Sequence, residues 1–121
     1  MSDSILRIKA KSFAKDIVCL CRHLKQHGVE GALINQLLRC GTSVGSNVHE
    51  AQYAQGTKDF ISKFEIALKE CNESEYWLEL LYETKSLSEA EFKNFQVKCI
   101  EIRRMLVSSV TTLKNSLKAQ G

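Results

Sequence analysis

Five basic residues near the start of the chain, Arg7, Lys11, Lys15, Arg22 and Lys25, follow one another at separations of four, four, seven and three. At 100° per residue a helix gathers these side chains on one strip beside an apolar stripe, with no acid between them. Such a strip attracts phosphates by charge alone and needs no base-specific geometry. Residues 5–27 hold six Lys or Arg against Asp16, a net of +5, while residues 57–84 hold three Lys against seven acids, a net of −4. The overall charge of +3 hides this polarity. A basic first segment of this kind either engages nucleic acid or docks on an acidic protein surface, a neighbouring subunit included. Aromatic residues do not interleave the basic strip, so base stacking of the kind used by single-strand readers is not expected.

A second group of polar residues lies in "LLRCGTSVGSNVHEA", residues 37–51. Arg39, Ser43, Asn47 and Glu50, beside Thr42 and Ser46, form a face too polar for a core and too poor in charge for ordinary solvent exposure, which suits a subunit contact; the alternative is a plain solvated face, and Arg39 cannot fully serve both this contact and Glu75. Two charges also stand where the helical period asks for apolar residues: Glu75 among Phe64, Leu68, Cys71 and Leu78, and Arg103 among Phe92, Cys99, Leu106 and Val110. Folding the chain about its loops brings Arg39 level with Glu75. An unpaired buried carboxylate costs several kcal/mol, so an Arg39–Glu75 ion pair is expected, with Arg103 joining the network. The alternative is that each charge snorkels to the bundle edge.

Signs of catalysis are sparse. No glycine-rich phosphate loop occurs, Ser43 has no histidine at a spacing that suggests a base, and the Glu-x-x-His pair of di-iron bundles is replaced by His49-Glu50. Cys19, His23 and His27 fall at i, i+4 and i+8, a spacing that could hold a metal, but no further ligand is near in sequence. Neither enzyme activity nor a cofactor or metal is expected. The five cysteines are odd in number and lack a CxxC pair, which argues for reduced, mostly buried thiols.

The elements that must position these residues are helices. The 121 residues suit one domain with a single core, and proline is absent. A periodic apolar stripe runs from Ser4 to His27 and stops at Gly28; a second spans Ala32 to Gln55, with Gly41 and Gly45 allowing a close helix approach. Thr57 is placed to cap a third helix that runs to Thr84, with Asp59 in its first turn. Ser88 and Glu91 form a capping box for the fourth, with Leu87 stapled on Phe92. Three short connections make this an all-α, antiparallel up-down-up-down four-helix bundle. No apolar run is long enough for a signal peptide or a membrane span, which points to a cytoplasmic protein without membrane contact.

The segment "RCGTSVGSNVHEAQ", residues 39–52, followed by "KDFISKFEIALKECNESEYWLELL", residues 58–81, resembles the bacterial four-helix bundle family of proteins encoded in intervening sequences of 23S ribosomal RNA genes. The accessory protein of diversity-generating retroelements is a relative of that family. The specific features are the order Arg-x-x-x-Ser-[Ile/Val]-x-x-Asn-[Ile/Val]-x-Glu-Ala and the Tyr-Trp-Leu-x-Leu-Leu ending at Tyr76–Leu81. One departure is His49, where the family usually has alanine. The resemblance implies a non-catalytic, ring-shaped homo-oligomer, typically a pentamer, and for the retroelement relative a basic surface that engages nucleic acid and a reverse transcriptase. Two functions follow as expectations: binding of structured RNA or other nucleic acid through the basic face, or an adaptor role toward protein partners alone.

Overall fold

The computed structural model describes residues 2–120 and contains four helices: α1 (Ser2–Gln26), α2 (Gly31–Ala51), α3 (Thr57–Glu83) and α4 (Glu89–Gln120). Each buries one apolar stripe. Leu6, Phe13, Ile17 and Leu24 from α1 meet Leu37, Val44 and Val48 from α2, Phe64, Leu78 and Leu81 from α3, and Ile102 and Leu106 from α4. Helices adjacent in sequence pack side by side, and α1 closes the circuit against α4, as an up-down-up-down bundle requires. No strand occurs among the described residues, and no described helix is long and apolar enough to cross a membrane.

The chain reversals have identifiable causes. After α1, Gly28 adopts φ 75°, so that the Val29 amide donates to the Leu24 carbonyl (3.1 Å) and the Gly28 amide to Lys25 (3.2 Å). This is a Schellman ending, and it needs a left-handed residue at that point. The same pair of bonds closes α3, where the Ser86 amide donates to Leu81 (2.8 Å) and the Lys85 amide to Tyr82 (3.0 Å). Here the left-handed position is held by Lys85 at φ 70° rather than by glycine. At the head of α4 the capping box forms: the Ser88 amide donates to Glu91 Oε1 (2.9 Å) and the Glu91 amide to Ser88 Oγ (3.1 Å). Leu87 and Phe92 on either side of it are both buried.

Two boundaries differ from expectation. The second helix ends at Ala51, not Gln55, because residues 52–56 turn the chain, with the Ala54 amide bonded to the Ala51 carbonyl (3.1 Å) and Gly56 at φ 117°. Thr57 is the first residue of α3 and not its cap; Gly56 takes the cap position with no side-chain bond, and Asp59 instead accepts a hydrogen bond from the Gln55 amide (3.0 Å).

Where α1 crosses α2, glycine is a steric requirement. A Cβ on Gly41 would lie 2.8 Å from both γ-carbons of buried Ile17, and one on Gly45 would lie 3.2 Å from the Ala10 carbonyl oxygen. These two residues therefore set how closely α1 approaches α2, and with it the shape of the seam between them.

Candidate nucleic-acid interface

Three of the four seams of the bundle are bridged by opposite charges. Between α1 and α4, Lys9 meets Glu101 (3.1 Å) and Asp16 meets Lys98 (2.8 Å). Between α2 and α3, Arg39 meets Glu70 (2.7 Å) and Lys63 approaches Glu50 (3.9 Å); between α3 and α4, Arg103 meets Glu75 (2.6 Å) and Lys114 meets Glu65 (2.8 Å). The α1–α2 seam carries no ion pair among the described residues. Its polar ties are a hydrogen bond from the Arg7 guanidinium to the Gln52 side-chain oxygen and a long one from the Cys21 thiol to the Ile34 carbonyl (3.8 Å).

That seam opens into a groove of about 700 Å³. Arg7, Lys11 and Lys15 edge it from α1, Thr42, Ser46 and His49 from α2, and Gly45 forms part of its floor. The glycine leaves room that any side chain would fill. All five cations of the predicted strip are exposed and have no carboxylate partner among the described residues. Arg7, Lys11 and Lys15 lie in the groove, whereas Arg22 and Lys25 continue the same strip beyond it. Lys9 and Asp16, the other charges of α1 between residues 5 and 27, are occupied against α4.

The residues expected at a subunit contact divide. Thr42 and Ser46 belong to the groove; Ser43, Asn47 and Glu50 lie outside it, and Glu50 faces Lys63 of α3. Thr42 Oγ1 donates to the Leu38 carbonyl (2.7 Å), Ser43 Oγ to Arg39 (2.7 Å), Ser46 Oγ to Ser43 (3.3 Å) and Asn47 Nδ2 to Ser43 (2.9 Å). A helix face rich in small polar groups is thus satisfied by its own backbone. That explains how so many uncharged polar residues sit there without another chain.

The expected Arg39–Glu75 pair is not present. Arg39 instead grips two other α3 carboxylates, Glu70 through Nη1 at 2.7 Å and Glu73 through Nη2. Glu75 belongs to Arg103, whose Nη1 lies 2.6 Å from Oε1 and 3.2 Å from the Asn72 oxygen. The proposed single network is therefore two, on opposite flanks of α3. Rotation about the helix axis decides the pairing: Glu70 and Glu73 turn toward α2 and Glu75 toward α4. Glu70 is the buried member, and its significance was not visible in the sequence because a glutamate three residues before Glu73 reads as ordinary surface. Trp77 adds a hydrogen bond from Nε1 to Glu73 (3.1 Å), and this bond, with the Arg39 guanidinium, holds the Glu73 carboxyl below its ordinary 4.5.

Two further possibilities are limited by the geometry. The His27 ring nitrogen Nδ1 lies 2.9 Å from the His23 carbonyl and the two imidazoles sit against each other, centroids 4.2 Å apart. Cys19, His23 and His27 do not close on a common point, and no metal-competent cluster of His, Cys, Asp and Glu exists among the described residues. All five cysteines are free. Burial pushes the Cys21 thiol up to about 11, and it raises Cys40 as well, so neither is a ready thiolate.

Sequence reasoning missed His49, Gln52, Ile8 and Ser12 as groove residues. The signal for His49 and Gln52 is that they share the helical face of Gly45, three or four residues apart, and that face looks to α1.

Comparison with known proteins adds the family. The model for the family described as 23S rRNA-intervening sequence protein matches residues 2–108. A crystal structure of a protein with unknown function from the S23 ribosomal protein family, from Bacteroides thetaiotaomicron VPI-5482, is 40% identical, with a TM-score of 0.89 over 92% of this chain and 99% of that one. Among curated proteins, none matches this chain.

Proposed function

Because the chain belongs to the 23S rRNA-intervening sequence protein family, we propose that it is a non-catalytic bundle that binds structured RNA or another nucleic acid through the basic face of α1, as a cytoplasmic homo-oligomer. The observation that carries this proposal is the α1–α2 groove, which gathers Arg7, Lys11 and Lys15 with no counter-charge while the other seams neutralise theirs. Unneutralised cations in a concave seam focus a positive potential where phosphate oxygens can enter.

The adaptor alternative needs α3 to present a free acidic surface for a basic partner. Of its seven acids, Glu65, Glu70, Glu73 and Glu75 are taken by cations within the bundle, which weakens that case. The absence of catalysis is proposed on chemical grounds: Ser43 donates its hydroxyl proton to a main-chain carbonyl, and Cys21 and Cys40 are buried thiols. The oligomer, pentameric by family resemblance, is proposed to contact through Ser43, Asn47 and Glu50. Thr42 and Ser46 cannot both meet a subunit and border an open groove.

The test is electrophoretic mobility with ribosomal RNA fragments at two salt concentrations. Five engaged cations give log K a slope against log salt of about −3.5 for a single strand and about −4.5 for a duplex. Lys11→Glu with Lys15→Glu should weaken binding and flatten that slope, with helicity and particle mass unchanged. Equal affinity before and after would remove α1 as the binding surface.

A further inference from the structure

The groove is not lined by cations alone. His49 faces it from α2, and beside His49 stands Tyr53, in the turn that follows the helix, with ring centroids 5.6 Å apart. Tyr53 is 73% exposed, and its neighbour Gln52 is tied to Arg7 of the basic strip. Aromatic rings absent from the α1 strip are therefore supplied by α2 and the turn that follows it, at the end of the groove where the strip begins.

From this juxtaposition we infer that the groove takes an unpaired strand of nucleic acid, its phosphates along Arg7, Lys11 and Lys15 and one base against the His49–Tyr53 ring pair; this rests on the groove being a nucleic-acid site, as proposed above. The three cations stand in single file on one helix, four residues or about 6 Å apart along the axis, close to the separation of successive phosphates on one strand. Arg22 and Lys25 extend the file past the groove. The Thr42 and Ser46 hydroxyl oxygens on the facing wall, whose protons go to main-chain carbonyls, can accept hydrogen bonds from sugar hydroxyls or base amino groups. A duplex presents no free base face to a ring pair, since its bases are stacked on one another. An unpaired loop or end of a structured RNA does present one, and combining a cationic track with aromatic platforms is the general solution for single strands.

The experiment uses the full chain and a fluorescent strand of about twelve uridines with one 2-aminopurine at its centre, free or annealed to its complement. The free strand should bind at least about fivefold more tightly than the duplex, and its 2-aminopurine emission should be quenched on binding. Tyr53→Ala should weaken free-strand binding at least about fivefold and abolish the quench, with the salt slope unchanged, because a stacked base releases no counterions. Tyr53→Phe, which keeps the ring, should retain both affinity and quench. Tyr53 is exposed, so the fold does not depend on it. Duplex binding as tight as free-strand binding, or Tyr53→Ala binding like the parent, would overturn the inference and leave the groove as a nucleic-acid site. If neither form bound, the proposed function would fall and this inference with it.

Discussion

Arg39 sits about half in solvent and yet determines the environment of Glu70, whose side chain is only 9% exposed. Removing the guanidinium leaves that carboxylate with no cation and little water. Arg39→Met should therefore lower the melting temperature, though by less than the loss of a fully buried pair, because the arginine is partly solvated. A thermal double-mutant cycle tells the two networks apart. Arg39→Met should couple to Glu70→Gln and be additive with Glu75→Gln, which belongs to Arg103; coupling to Glu75 would contradict the pairing seen here. Acid titration tests the same scale. Glu73 is held below its ordinary 4.5 first by the Trp77 indole and then by Arg39, and Glu91 by the Ser88 amide and hydroxyl. A depressed carboxylate stabilises the fold above its unfolded pKa and loses that contribution as pH falls through its folded pKa. The melting temperature should accordingly drop as pH falls from about 6 to about 3, and the drop should be smaller in Glu91→Gln, whose side chain no longer titrates.

At the scale of elements, the α1–α2 contact is fixed by Gly41 and Gly45, where an added Cβ would meet Ile17 and the Ala10 carbonyl. Alanine raises helix propensity by about 1 kcal/mol over glycine, but at Gly41 its methyl would strike Ile17, a buried β-branched side chain with little freedom to move. Gly41→Ala should be net destabilising, by about 1 kcal/mol, since overpacking costs about 1–3 kcal/mol. Gly31→Ala has nothing within 4 Å and should change the melting temperature little, which makes it the control. How much of this was legible in the sequence follows from what each signal encodes. The apolar period places all four helices, because Leu6, Phe13, Ile17 and Leu24 repeat on one face, and Ser88 with Glu91 marks the start of α4 almost to the residue. The glycine spacing also points to a close helix approach. Rotation about the axis is not encoded so directly: height along the bundle suggests Glu75 for Arg39, and only the packed bundle shows that Glu70 and Glu73 face it. Nor does anything near Ala51 announce the end of α2, since Gln52 to Gln55 are all compatible with a further turn. The basic strip was readable because one helix carries it; the groove was not, because its second wall comes from residues about thirty-five positions later.

For the whole molecule, the distribution of charge matters more than its sum. Eight of the fourteen acids are paired with cations inside the bundle, and the α1 strip is left as a file of cations along one edge, so an assembly of several copies would carry several such files. If the subunits meet through Ser43, Asn47 and Glu50, the grooves remain open and a long RNA can reach more than one of them. Linked sites of this kind raise apparent affinity by about 10²–10⁴ without any new contact. Static light scattering at tens of micromolar should then give a mass that is a multiple of 13.7 kDa. Asn47→Arg places a long charge in that contact while its own helix can direct the guanidinium to solvent, so helicity should be kept and the mass should fall to a single chain. The same variant should lose at least about tenfold in affinity for a long RNA, while its affinity for a strand short enough to fill one groove should stay within about twofold. A wild-type particle of one chain's mass would refute the assembly outright. A variant that falls to a single chain and still binds long RNA as tightly as the parent would show that one groove suffices.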